Sequence, residues 1–124
     1  MTENEILTSC KNRLDNWKSQ GVVLNYERIN CGKVLTEHRT WFTGAKKGFP
    51  DLFVEVIKDD MIYLCYFETK RPGGGRRQEQ LEFLEKRRNF KNVICEFIEH
   101  PSQVDRAIES IVGDPLDKLP KEIG

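Results

Sequence analysis

The sequence predicts an α/β fold, a mixed β-sheet flanked by helices. Three observations carry this. Met61 to Phe67 is an uninterrupted apolar run, Met-Ile-Tyr-Leu-Cys-Tyr-Phe, rich in β-formers and too short for a core helix, which reads as a strand buried on both faces. Apolar stripes at helical spacing lie near both ends of the chain, Leu7-Cys10-Leu14-Trp17 and Val104-Ala107-Ile108-Ile111. Between them, Val22 to Ile29, Asp51 to Ile57 and Val93 to Ile98 have strand length and are bounded by turn residues. The expected order is α-β-β-β-α-β-α.

In the first helix, Thr2 and Glu5 form a Thr-x-x-Glu capping box, which accounts for Glu5. Glu3 instead continues the inward-facing stripe, where an unpaired carboxylate is unfavourable; a terminal residue near water fits it equally well. Gln20-Gly21 ends the helix. After the strand Val22 to Ile29, Asn30-Cys31-Gly32-Lys33 reads as a turn. Arg28 and Asn30 share a strand face, where they either donate to phosphate oxygens or satisfy partners at the strand end. Val34 to Phe42 fits an irregular strand or a loop. Thr43 to Gly48 is a basic, glycine-bracketed loop whose Lys46 and Lys47 suit phosphate, although a plain surface turn looks similar.

Asp51 to Ile57 is an antiparallel partner for Met61 to Phe67, turned by Lys58-Asp59-Asp60. Arg71 to Arg77 holds three successive glycines and reads as a flexible connector or as a mobile loop over a nucleic-acid backbone, with Arg71, Arg76 and Arg77 as donors. A helix follows from about Arg77 to Phe90, placing Gln80 on the side of Phe83 and Leu84. Ser102-x-x-Asp105 is expected to cap the last helix, and Gly113-Asp114-Pro115 to stop it. Residues 1–113 thus form one domain, and residues 114–124 a tail.

A chain of 124 residues, 38% hydrophobic and 32% charged, is large enough for one core and suits a soluble protein with a charged surface. No apolar run approaches a membrane span and no signal-peptide pattern opens the chain, so a cytoplasmic protein without membrane partners is expected. Twenty basic and twenty acidic residues cancel overall, but Lys70 to Lys91 carries eight Lys/Arg against three Glu. That excess fits either a solvated helix or a phosphate-facing surface. Cys10, Cys31, Cys65 and Cys95 show no zinc spacing, and no Gly-Lys-Ser/Thr loop offers a nucleotide-cofactor site.

The chemistry gathers at the end of the hairpin. Glu68 and Lys70 lie two apart on a strand and share a face, and the Lys58-Asp59-Asp60 pivot brings Asp51 to the same end. Two carboxylates beside an ammonium make a site for a hard cation with a charged assistant. The spaced set Lys47-Gly48-x-Pro50-Asp51-Leu52, Glu68-x-Lys70-x-Pro72 and Gln80 resembles the VRR-NUC family of the PD-(D/E)XK nuclease superfamily. Arg28-Ile29-Asn30-Cys31-Gly32 is similar to the segment preceding the hairpin in small phage-type members.

That resemblance implies a restriction-endonuclease-like core and a Mg2+- or Mn2+-dependent deoxyribonuclease. It implies metal binding by Asp51, Glu68, the Thr69 carbonyl and Glu3, with Lys70 and Gln80 completing the catalytic set. Arg28, Asn30, Lys33, Lys46, Lys47, Arg71, Arg76 and Arg77 are the residues expected to face DNA. A structure-selective endonuclease similar to Holliday-junction resolvases, acting as a homodimer, is the implied activity. A non-specific or nicking nuclease and a non-cleaving DNA-binding protein are the alternatives.

Overall fold

The computed structural model describes residues 1–29 and 48–113, and the backbone alone of residues 33–35 and 41–43. Its elements run α1 (Glu3–Ser19), β1 (Val23–Arg28), β2 (Lys33–Leu35), β3 (Trp41–Thr43), β4 (Leu52–Lys58), β5 (Met61–Thr69), α2 (Gln78–Arg87), β6 (Val93–Ile98) and α3 (Ser102–Val112). The fold is mixed α/β. Four strands form the main sheet in the order β1-β4-β5-β6, and β2 with β3 makes a separate antiparallel pair. The stretch Val34 to Phe42, left between strand and loop by its sequence, thus contributes the pair that the expected element order lacks.

β4 and β5 are an antiparallel hairpin in the register Leu52↔Phe67 to Lys58↔Met61. It turns at Asp59-Asp60, whose φ values of 50° and 63° are the positive pair that a two-residue hairpin turn requires. β5 and β6 are parallel, and α2 supplies the crossover that parallel neighbours need. Leu52, Val54, Val56, Cys65 and Phe67 point to one face and join Ile6, Leu7, Cys10 and Leu14 of α1 and Val104, Ala107, Ile108 and Ile111 of α3 in the core. On the opposite face Tyr66 packs on Phe83 of α2 at 5.2 Å and on Phe53 at 5.4 Å between ring centroids.

The Thr2–Glu5 capping box forms: the Glu5 N–H donates to Thr2 Oγ1 at 3.2 Å. At the other end of the chain the expected Ser102–Asp105 cap does not. Pro101 occupies the cap position, and Asp105 accepts instead from Arg13 and from Trp17 Nε1 at 2.9 Å, tying α3 to α1. A long-range ion pair has taken the acid that local pattern assigned to a cap.

β5 is not buried along its whole length. Met61 and Ile62 are exposed at the hairpin tip, Tyr63 and Leu64 half-buried, and Cys65 to Thr69 buried except Tyr66. The strand is exposed at its start, packs on the core from Tyr63 and is buried from Cys65 on, Tyr66 excepted. Among the described residues no helix is long and apolar enough to cross a membrane.

Candidate functional site

Asp51 reaches the sheet through Gly48-Phe49-Pro50. Gly48 has φ +90°, and a Cβ there would lie 2.5 Å from the Glu79 carbonyl oxygen in the first turn of α2, so only glycine fits. Pro50 is fully buried, and the Asp51 carbonyl accepts from the Ile29 N–H at 2.7 Å. Backbone contacts on both sides therefore fix the approach of this acid.

The Asp51 carboxylate is held by Thr69. Its Oδ2 accepts from the Thr69 N–H at 2.8 Å and from Thr69 Oγ1 at 2.6 Å. Thr69 is 3% exposed, so these bonds lie out of bulk water. Sequence reasoning gave Thr69 only a main-chain carbonyl role and missed its hydroxyl; a β-branched hydroxyl residue between the two motif residues was the available signal.

Glu68 and Lys70 are each 6% exposed. Burial pushes the Glu68 carboxyl up to about 9, and its hydrogen bond to Asp51 and the Asp51 charge push the same way; Lys70 opposes the shift and Glu3 adds to it. At neutral pH the paired carboxyls therefore hold a proton where a cation could stand. The Lys70 N–H extends the β5–β6 ladder by donating to the Ile98 carbonyl at 2.8 Å. The Lys70 side chain makes no hydrogen bond or ion pair among the described residues. Among the described residues no buried side-chain nitrogen lacks a partner, so the Lys70 ammonium is not sealed off but opens on the cleft it lines.

Glu3 does not close the acidic set. Among the described residues no group of three or more His, Cys, Asp or Glu side chains is gathered for a metal ion. The capping box places Glu3 in the exposed first turn of α1, where it lines an open cleft of about 610 Å3 with Lys70, Arg71, Gly74, Gly75 and Arg77. Gln80, whose amide could serve catalysis or simply bond to backbone, does the latter. Its Oε1 accepts from the Arg77 N–H at 3.1 Å and caps α2, and no hydrogen bond joins it to Lys70.

The basic residues divide. Arg76 is spent on Glu99 at 3.0 Å and on the face of Phe97, 4.5 Å from the ring centroid. Arg87 stacks on Phe83 at 3.6 Å, and Arg88 lies 3.9 Å from Glu85, so part of the charge excess is structural. Arg28, Arg71 and Arg77 are exposed and make no ion pair among the described residues. Asn30, Lys46, Lys47 and the Lys33 side chain lie outside the described residues.

The glycine loop opens on a hydrogen-bonded turn over Arg71 to Gly74. The Gly74 N–H donates to the Arg71 carbonyl at 2.8 Å, and Gly73, at φ +77°, follows Pro72. Proline then positive-φ glycine at the two central positions is the composition of a type II turn.

Asp51, Glu68 and the Thr69 carbonyl would offer a cation oxygen donors alone, a chemistry that suits Mg2+ or Mn2+ over softer metals. A larger groove of about 690 Å3, at the opposite end of the sheet around Gly21, Ile57 and Gly113, contains none of the candidate residues. No family model matches the chain, and no curated protein or solved structure matches it.

Proposed function

We propose that the chain is a divalent-metal-dependent endonuclease that hydrolyses DNA phosphodiester bonds on a restriction-endonuclease-like core. The observation that carries this reading is that Asp51, anchored through its carboxylate to Thr69, interacts with the Glu68 carboxyl at the buried end of β5, with Lys70 directly after the strand and without a side-chain partner among the described residues. Stability alone gives a poor account of two carboxyls brought together at a strand end where Glu68 is buried, with a lysine directly beside them, since burying such groups costs several kcal/mol.

Asp51 and Glu68 hold the cation, with Thr69 fixing Asp51 and offering its carbonyl. Bound Mg2+ or Mn2+ supplies polarisation of the phosphoryl oxygen and stabilisation of the leaving oxyanion. Lys70 orients the attacking water or, in its neutral form, takes up that water's proton, and as an ammonium it offsets charge gathering on the phosphate. Glu3, at the cleft margin, acts on the cation through water.

Structure selectivity and a homodimer are proposed from the family resemblance. Exposed Ile57, Met61 and Ile62 at the hairpin tip give a second copy an apolar surface to cover. The buried free thiols of Cys10, Cys65 and Cys95 agree with a reducing cytoplasm.

Plasmid, four-way junction, flap and linear duplex, each incubated with Mg2+, Mn2+ or EDTA, test the reading. Cleavage should require metal and fall by about 10²–10⁴-fold in Lys70→Ala, with Asp51→Asn equally impaired. Metal-independent binding with no product on any substrate would establish a DNA-binding protein instead.

A further inference from the structure

We infer that the cleft between the first turn of α1 and the turn after β5 binds a backbone phosphate of a nucleic-acid strand, through Arg71 and Arg77 beside Lys70. Taking that phosphate as the neighbour of the one hydrolysed rests on the nuclease reading; the anion site itself does not.

The cleft is built around three cationic side chains, Lys70, Arg71 and Arg77, against the single acid Glu3. Lys70 is more than nine-tenths buried, lines the cleft and has no side-chain partner among the described residues. Arg71 is not on a slack loop: the bond from Gly74 to its carbonyl sets its backbone directly after the strand that carries Glu68 and Lys70. Arg77 stands at the first turn of α2, its N–H held by Gln80, so its side chain springs from a capped helix end. That end also carries the partial positive charge of the helix.

The neighbouring arginine provides a contrast. Arg76, between the two, is turned to Glu99 and Phe97 and anchors the segment. The loop thus sorts its arginines, one holding the chain down and two open to the cleft. Forked guanidinium groups suit phosphate oxygens, and Arg71 and Arg77 line the same cleft as Lys70.

Binding of a short fluorescent thymidine oligonucleotide in EDTA, followed by anisotropy over a salt series, tests the site. Arg71→Ala/Arg77→Ala should weaken binding by about tenfold or more and flatten the log–log salt slope by about 1.4, two contacts at ~0.7 each for single strands. Lys11→Ala/Arg106→Ala removes the same charge elsewhere and should stay within about twofold of wild type. Both arginines are exposed, and thermal melts of each variant establish that it is folded.

Oligonucleotides with and without a terminal phosphate separate the two sources of the group. Equal affinities assign an internal phosphodiester; tighter binding of the phosphorylated form, lost in the arginine variant, assigns a chain end. Unchanged affinity and slope in Arg71→Ala/Arg77→Ala overturn the proposal. Arginine-dependent binding without cleavage under Mg2+ or Mn2+ would sink the nuclease reading and leave the cleft intact. Cleavage with unaltered KM and binding in the double variant would do the reverse.

Discussion

Glu68→Gln separates the charge of this carboxyl from its shape. The substitution keeps size and hydrogen-bonding capacity but fixes the side chain in its neutral form. In the wild-type chain burial and Asp51 raise the Glu68 carboxyl from 4.5 to about 9, so the folded protein holds a proton there that the unfolded chain releases near 4.5. Stability from this proton is fully present below about pH 4.5 and is lost as pH rises toward about 9. One proton gives a slope of up to about 1.4 kcal/mol per pH unit. From roughly pH 6 to pH 8 the metal-free protein should lose about 2–3 kcal/mol through this group, while Glu68→Gln loses none of it. For a chain of this size that is a relative fall in Tm of about 10 °C. Thermal or urea unfolding of both proteins across that range in EDTA reads the difference directly. Adding Mn2+ at about a hundred times its Kd should restore close to 2.7 kcal/mol in wild type and far less in the variant. Parallel stability curves in EDTA would refute the buried proton-sharing pair.

Thr69→Val removes the hydroxyl bond to Asp51 while leaving the N–H bond; it should cost about 1–2 kcal/mol of stability and weaken Mn2+ binding, measured by calorimetry. Gly48→Ala forces a Cβ against the Glu79 carbonyl at positive φ and should destabilise by about 2–4 kcal/mol, with Gly21→Ala, which meets nothing within 4 Å, clearly milder in the same melts. Cys10 and Cys65, their thiols raised by burial to about 11 and about 12, should resist a thiol reagent at neutral pH until the chain unfolds, an outcome that labelling followed by mass spectrometry checks.

Local pattern carried a good deal of this. The capping box at Thr2, the α3 stripe and the Asp59-Asp60 pivot depend on residues close in sequence, where spacing alone decides. Register then carries Asp51 to Glu68 without further information, because a hairpin turn fixes which residues meet. Ile6 was not legible as core: it falls beside the stripe and is buried because α1 packs against both the sheet and α3. Asp105 and Arg76 found partners distant in sequence, Arg13 and Glu99. Gln80 was placed on the correct face of α2, but competition for its amide by the orphan N–H of Arg77 depends on where the helix begins. The turn at Arg71 to Gly74 shows that glycines adjacent to a proline specify a conformation as readily as they permit motion.

The gradient of burial along β5 gives its two ends different clocks. Amide protons near Met61 sit over exposed side chains and should exchange through small local openings. Those at Glu68 to Lys70, clasped by β6, should exchange only when the domain opens as a whole. Fraying at the tip therefore need not propagate to the carboxyl pair, and the chemistry sits at the still end of a strand whose other end is free to breathe.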